Sequence, residues 1–242
     1  MIHICAPYTF LEGVHRMFRD KPAIRSYIDE LSKNQNFLKF MRKASLSHDL
    51  ERKLGLCSEL VALEWNQFDQ VKNLGSRANC QDNLLSFLIM RLAQYLPLPI
   101  DLIESLIHEH TKGIDEGRNL VEEKYARMMR ETDPKLFNAL WRDRLETASP
   151  VKTALLESVI ILLQEMQEEL EKLKSTNEHA RPKLTQGNNI SALAYMKSEL
   201  ESYSYASLRQ IHKFLSSAEF NYIEEIYMCS VLLKRCLDHA VR

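Results

Sequence analysis

The chain has 242 residues, of which 45% are apolar and 27% are charged, a composition typical of globular proteins and not of disordered or fibrous ones. Its net charge of −1 provides no overall attraction to nucleic acid or to an anionic membrane surface. Gly and Pro are scarce, with six and seven residues, which disfavours a β-rich chain because hairpins consume both.

The cysteine content and the absence of apolar signals indicate a cytoplasmic protein. The first residues lack the basic and apolar regions of a signal peptide, and the apolar runs at 84–90 and 159–163 are too short to span a bilayer. The number of cysteines is odd and none forms a C-x-x-C pair, so a disulfide framework is not expected. The five are Cys5, Cys57, Cys80, Cys229 and Cys236.

The chain begins with short helices that we predict to form an N-terminal helical extension, residues 1–50. Thr9 and Glu12 form a T-x-x-E capping box at the start of the first of them. The three helices are expected near 10–19, 22–32 and 36–44. The remainder, 51–242, is predicted to be a helical core domain.

The core domain is expected to open with a helix that runs from a Ser47 cap to about 73 and bends at Gly55 or stays straight. A loop at 74–81 separates it from helix 82–96, which is apolar on most sides and should be central. Residues 100–131 then read as one long helix or as two, and Gly113 and Gly117 are the candidate breaks.

Helix signals continue to the end of the chain. Asp133-Pro134 begins a short helix, and Ser149-Pro150 begins a long one that ends near 174. A polar loop at 175–189 is either a lid or a connector. Helices near 190–202, 205–216 and 218–239 follow, the middle one capped by Ser204. Without any convincing period-2 strand, the sequence predicts an all-α fold, a single-domain irregular bundle of about nine to ten helices.

Glu64 is the first candidate for chemistry, because it interrupts an apolar helical stripe. Leu60, Glu64 and Phe68 follow one another at intervals of four residues, which places them on one face of a helix. Burial disfavours the charged form of a carboxylate unless Arg or Lys holds it ionised. Glu64 is therefore interpreted as a general base or ligand-binding carboxylate, or alternatively as half of a structural ion pair.

The loop before helix 82–96 offers an anion-binding group and a thiol. Arg77 and Gln81 flank the helix N-terminus, where free N–H groups favour negative charge, so both are candidate substrate-binding residues. The alternative is that Arg77 pairs with a neighbouring acid and Gln81 caps the helix. Cys80 precedes the same N-terminus, which favours a thiolate, and it is a candidate catalytic nucleophile or a small buried hydrophobe.

A second polar segment lies some forty residues further along. Arg118, Asn119, Glu123 and Tyr125 are candidate substrate-binding residues on one or two helical turns. Lys124 has apolar residues one turn to either side, so it either extends its amine to solvent or is a partly buried amine able to act as a base or Schiff-base former.

Metal and cofactor motifs are not found. His108-Glu109-His110 matches neither H-E-x-x-H nor the paired E-x-x-H of di-iron bundles, so no metal site is predicted. Glycine-rich nucleotide loops and a G-x-S-x-G elbow are also missing, and the cofactor, if any, is unknown.

The two polar segments together resemble an uncharacterised prokaryotic family, domain-of-unknown-function family four-one-two-five. Its EWxxF pattern is matched at 64–68 and its GGRAxCQ-like loop at 75–81, where Ser76 replaces the second glycine. Its GRNLxxEKYAxMM pattern is matched at 117–129. The resemblance implies an all-helical, cytosolic protein and implies no particular activity.

From these residues we expect a helical protein with an internal polar pocket that binds a small polar or anionic metabolite. Arg77 and Arg118 would bind the anion, and Glu64 or Lys124 would be the acid–base group of a lyase or transferase. The alternative is a non-catalytic helical adaptor whose polar cluster is a structural ion-pair network. No nucleic-acid or membrane partner is expected, and a homo-oligomer is compatible with the sequence.

Overall fold

The computed structural model describes residues 50–72, 77–173 and 190–240, together with Lys33 and Gln35. The predicted helices before residue 50 and the predicted loop at 175–189 lie outside the described residues, apart from those two positions. The described part contains α-helices, a 3-10 turn and no strand, which confirms the all-α prediction. In chain order the helices are α1 Leu50–Asp69, α2 Leu84–Tyr95, α3 Ile100–Asp115, α4 Leu120–Thr132, α5 Pro134–Leu140, α6 Pro150–Leu173, α7 Ala192–Leu200, α8 Tyr205–Ser217 and α9 Tyr222–Ala240.

The chain forms two compact units. The first contains the described residues up to His108 and those from Glu225 onward, and the second contains Glu109–Glu224. The division therefore falls inside α3 and inside α9. The predicted boundary near residue 50 lies at the edge of the described residues and stays a prediction.

In the first unit, α1 packs against α2, and the 3-10 turn Asn79–Asp82 packs beside them. The α1 residues at the contact follow the apolar stripe, and Leu60 and Val61 are completely buried. Phe68 stacks on Phe87 of α2 with ring centroids 5.2 Å apart, and Trp65 meets Phe87 edge to face at the same distance. This aromatic contact closes the apolar layer at one end of the two helices.

In the second unit, α6 packs against α8 and α7, while α4 packs against α7 and α5. Side chains from α6 and α8 form an apolar layer, with Val159 and Leu208 completely buried and Leu163 nearly so. Because α7 contacts both α4 and α6, polar residues of α4 and of the first turn of α6 can both reach residues in or next to α7. The polar groups of the second unit that are described below lie around this helix.

The glycine at 117 decides between one helix and two over 100–131. Gly117 has a positive φ of 72°, and Arg118 N–H donates to the Gly113 carbonyl at 2.7 Å, so α3 ends in a left-handed turn. Asn119 then begins α4 by accepting a hydrogen bond from Glu122 N–H at 2.9 Å. The second of the two predicted breaks is therefore used, and the residues read as two helices.

Helix α1 is shorter than predicted, since it ends at Asp69 and not near residue 73. Its last turn tightens through hydrogen bonds from Gln70 N–H to Gln67 O and from Val71 N–H to Phe68 O. None of the described helices is both long and apolar enough to cross a membrane.

Two glycine substitutions test the importance of the turn. Gly117→Ala should lower the free energy of unfolding by about 1–2 kcal/mol, because the added Cβ is strained at positive φ even though no atom lies within 4 Å. Gly55→Ala, in the interior of α1 and with equally open surroundings, should raise it by about 0.5–1 kcal/mol through helix propensity. Urea unfolding of the two variants measures both values. Equal effects of the same sign would show that the left-handed turn is not a constraint on stability.

Candidate functional site

In the first unit, the Glu64 carboxylate is buried against a guanidinium from the neighbouring helix. Arg91 of α2 donates from Nε to Glu64 Oε2 at 2.6 Å and from Nη2 to Glu64 Oε1, and both side chains are only 3% exposed. Arg91 also donates to Gln94 Oε1 at 2.6 Å and to the Tyr95 hydroxyl. The apolar stripe of α1 thus places a carboxylate in the interior, where an arginine binds both of its oxygens.

Arg77 forms hydrogen bonds both to the last residue of α1 and to the 3-10 turn before α2. Its guanidinium donates to the carboxylates of Asp69 and Asp82, the latter at 2.7 Å, and to the Gln81 carbonyl at 2.7 Å. The bonds from Asp69 and then Asp82 raise the pKa of Arg77 above its ordinary value. Asp69 and Asp82 therefore balance the charge of Arg77, as in the alternative interpretation that Arg77 pairs with a neighbouring acid.

Gln81 closes the C-terminal end of α1. Its Nε2 donates to the carbonyl oxygens of Phe68 and Val71, at 2.8 and 3.0 Å, and its Oε1 accepts from Ala78 N–H at 3.0 Å. Carbonyls at a helix end have no partner within the helix, so Gln81 satisfies two of them with a side chain that is 1% exposed. Cys80 lies beside it in the 3-10 turn before α2, and its side chain is exposed.

A buried amine and two thiols form a further polar group in the first unit. Lys53 is 2% exposed, and burial lowers the pKa of its amine, while the charges of Cys57 and Cys229 act in the opposite direction. Burial raises the pKa of the Cys57 thiol to about 12 and also raises that of Cys229. Thiols with a raised pKa are poor nucleophiles, so we assign these cysteines to the interior packing of α1 and α9.

In the second unit, Arg118 and Glu123 form a bidentate ion pair at the start of α4. Arg118 donates from Nε to Glu123 Oε1 at 2.8 Å and from Nη2 to Glu123 Oε2 at 2.9 Å. Arg127, one turn further along α4, donates to Glu123 Oε2 at 3.1 Å and to Ser202 Oγ at 3.0 Å. Burial alone would raise the pKa of Glu123, but the bonds and charges of the two arginines outweigh burial and lower it.

Lys124 forms an ion pair with the buried carboxylate of Glu199. Its Nζ donates to Glu199 Oε2 and to the Tyr195 hydroxyl, both at 2.5 Å, and lies 3.8 Å from the centre of the Tyr195 ring. Tyr203 donates its hydroxyl to Glu199 Oε1 at 3.1 Å. Lys124 is 5% exposed, so it does not extend to solvent as one interpretation proposed, and its contacts connect α4 with α7.

Lys152, in the first turn of α6, has a different environment from Lys124. Its Nζ donates to the main-chain carbonyl of Glu201 at 3.0 Å, and no described carboxylate forms an ion pair with it. Burial lowers the pKa of the Lys152 amine; the charge of Glu146 opposes this, and the charge of Arg127 lowers the pKa further. Lys152 is half-buried, so its side chain lies at the boundary between the protein interior and solvent.

The candidate residues are divided between the two units. Glu64 has its own partner, Arg91, while Arg77, Gln81 and Cys80 belong to the turn after α1. Asn119 is the N-cap of α4, and Tyr125 is a half-buried residue on the same helix. The expectation that the two segments line one pocket stays a prediction.

Four residues that take part in these ion pairs and hydrogen bonds were not among the candidates from the sequence. Arg91 could have been found, because it is a charged residue inside the apolar run of α2. Arg127, Glu199 and Lys152 carry no such signal, since charged residues on amphipathic helices are usually solvated.

Residues 108–110, considered and rejected as a metal site, have structural contacts. Glu109 accepts hydrogen bonds from the hydroxyls of Ser204 and Ser207, the latter at 2.6 Å, and so supports the start of α8. His110 is buried, with its ring edge to face with Tyr203. Within the described part of the chain, no three His, Cys, Asp or Glu side chains gather in a way that could hold a metal ion.

Comparison with known proteins gives one match. The sequence model of a family described as a protein of unknown function, DUF4125, matches residues 55–231. No curated protein and no solved structure is detectably similar to the chain.

The Glu64–Arg91 pair should contribute strongly to stability. Arg91→Met and Glu64→Leu should each lower the free energy of unfolding by about 3–5 kcal/mol, because each leaves an unpaired buried charge. The double variant should lose less than the sum of the two, with a coupling energy of about 2 kcal/mol or more from urea unfolding. The exposed pair Arg52–Glu104 is the control, with an expected coupling below about 1 kcal/mol. Similar coupling energies for the two pairs would contradict this assignment.

Lys53 should make stability depend on alkaline pH. Its folded pKa is lowered below 10.5, so the unfolded chain binds the proton more tightly and wild-type stability rises as pH increases through the folded pKa towards 10.5. Lys53→Met should therefore be more stable than wild type at about pH 7, with a difference that shrinks towards about pH 10. Urea unfolding across this range measures the difference, in which the thiol titrations cancel. Lys213→Met, at an exposed position, should show no such trend, and a constant Lys53→Met difference would refute the prediction.

Proposed function

We infer the function of this chain, which belongs to the DUF4125 family of proteins of unknown function, from the charged side chains of its second unit. We propose that this unit binds a small anionic molecule at Arg118 and Lys152. The observation that carries the proposal is the state of Lys152: a half-buried amine bonded to a neutral carbonyl, with two arginines close enough to lower its pKa. An anion at this position would supply the negative charge that Lys152 does not obtain from an ion pair.

Arg118 supports the same site. Its Nε and Nη2 are used by Glu123, whereas Nη1 lies 3.7 Å from Glu116 Oε2, which is too far for a hydrogen bond. The side chain is 33% exposed, so part of it faces solvent, where a ligand can approach it. A guanidinium held in place by a bidentate carboxylate is also pre-oriented, which reduces the entropy lost on binding.

This proposal assigns the acid–base role to Lys152 in place of Lys124 or Glu64. Lys124 was the candidate amine, but its ammonium is held by Glu199 and Tyr195 in the interior. Glu64 is held by Arg91 in the other unit. Lys152 has the half-buried environment and lowered pKa that suit an acid–base or nucleophilic amine. A lyase and a transferase remain equally compatible with these residues.

A second candidate function is a non-catalytic helical adaptor. The observation that favours it is the completeness of the buried ion pairs Glu64–Arg91 and Lys124–Glu199, each of which joins two helices. Such networks hold helices in register without taking part in a reaction. In this case the polar segments would be needed for folding alone, and a partner protein would bind elsewhere on the surface.

A cytoplasmic location is part of the proposal. Cys57, Cys80 and Cys229 are free thiols, as expected for a reducing compartment.

Thermal unfolding with small anions distinguishes the two functions. Phosphate, pyruvate, oxaloacetate and citrate are added at constant ionic strength, with chloride as the reference. If the site exists, at least one anion should raise the midpoint of wild type, because a ligand of the folded state stabilises it in proportion to the logarithm of its concentration. Arg118→Gln and Lys152→Met should each weaken the apparent affinity by about tenfold or more, equivalent to about 1.4 kcal/mol.

The control variant is Arg209→Gln. Arg209 is an exposed residue of α8 that is not part of the proposed site, so this variant should respond to anions as wild type does. The ligand-induced change in midpoint is compared, and not the midpoint itself, so that a change in basal stability does not affect the conclusion. Identical responses of wild type, Arg118→Gln and Lys152→Met would leave the adaptor as the better function.

A further inference from the structure

Lys152 has the position and contacts of a reactive amine. It is the third residue of α6, where Ser149 Oγ accepts a hydrogen bond from Lys152 N–H at 3.3 Å and fixes the first helical turn. The side chain then extends to the Glu201 carbonyl, so its Nζ has a defined place. The bond to a neutral acceptor leaves the amine free to lose its proton without breaking an ion pair.

The surroundings of Lys152 support the neutral form of the amine. The charged groups that act on it are Glu146, which precedes α6, Arg118 and Arg127, and Glu201 at the end of α7. Burial has the largest effect and lowers its pKa; the two arginines lower it and the two acids raise it. A neutral lysine amine has the lone pair needed for attack on a carbonyl carbon.

Arg118 determines which carbonyl compounds fit. Its side chain is partly exposed, its Nη1 makes no hydrogen bond to the described residues, and guanidinium groups bind carboxylates with directional hydrogen bonds. A molecule that engages both residues therefore carries a carboxylate beside an aldehyde or ketone, that is, a small oxo acid. This inference depends on the proposed anion site and specifies the class of ligand that occupies it.

We propose that Lys152 forms an imine with a small oxo acid whose carboxylate is bound by Arg118. The Nζ lone pair attacks the carbonyl carbon, and the carbonyl oxygen takes up a proton to give a carbinolamine. Loss of water then forms the C=N bond. Both hydrogens of the neutral amine leave with the carbonyl oxygen as water, so the step needs no oxidant, reductant or metal.

Reductive trapping tests this assignment. The full chain is incubated with pyruvate or glyoxylate and sodium cyanoborohydride, and the modified lysines are identified by intact mass and peptide mapping. Lys152 should be labelled about tenfold faster than exposed lysines such as Lys213, because the neutral amine is the reacting form. The rate at Lys152 should also reach half of its maximum at a lower pH than the rate at Lys213.

Matched variants make the result specific. Lys152→Arg keeps the charge and removes the amine, so it should abolish the fast adduct while circular dichroism reports an unchanged helical fold. Lys213→Arg should leave the Lys152 adduct unaffected. Arg118→Gln should slow labelling of Lys152 by glyoxylate and have less effect with formaldehyde, which lacks a carboxylate.

Two results would overturn the proposal. One is labelling of Lys152 no faster than that of Lys213, and the other is equal slowing of glyoxylate and formaldehyde by Arg118→Gln, which would remove the oxo acid as the ligand class. Either result leaves the anion site intact if the thermal midpoint still responds to anions through Arg118. Failure of every anion to shift the midpoint removes the proposed function itself.

Discussion

A charged group that leaves water must meet an opposite charge or several hydrogen-bond partners, and this requirement organises both units. In the first unit, Glu64 enters the apolar layer between α1 and α2 only together with Arg91. In the second, Lys124 enters the contact between α4 and α7 only together with Glu199. Each pair therefore fixes the rotation of two helices, because turning either helix would separate the charges.

In the second unit, Lys152 is an exception to this requirement. Glu123 receives two arginines, and the Glu201 carboxylate receives Arg130 and lies 3.6 Å from Arg127, whereas the Lys152 ammonium donates to the Glu201 carbonyl oxygen and forms no ion pair with a described carboxylate. The pKa of this half-buried amine is lowered, so it loses its proton more readily than an ordinary lysine amine. Exceptions of this kind are more frequent at functional sites than elsewhere, which is why the proposed function is placed here.

Local signals predicted the elements well. Asp133-Pro134, Ser149-Pro150 and Ser204 mark the first residues of α5, α6 and α8, because caps and proline act within one helical turn of themselves. The two polar segments were also recognised as unusual. In the structure, Asn119 is a helix cap and Gln81 completes a helix end, both of which are local structural roles, and their binding of a substrate stays a prediction.

The sequence by itself determined the all-α class, most helix boundaries and the presence of a carboxylate inside an apolar stripe, because all of these depend on residues within a few turns of one another. Only the tertiary structure decided what each charge meets. Arg91 is 27 residues from Glu64, and Glu199 is 75 residues from Lys124, so no periodicity connects them. The environment of Lys152 likewise arises from α7, which packs against both α4 and α6, and burial, which the local sequence does not reveal, lowers the pKa of its amine.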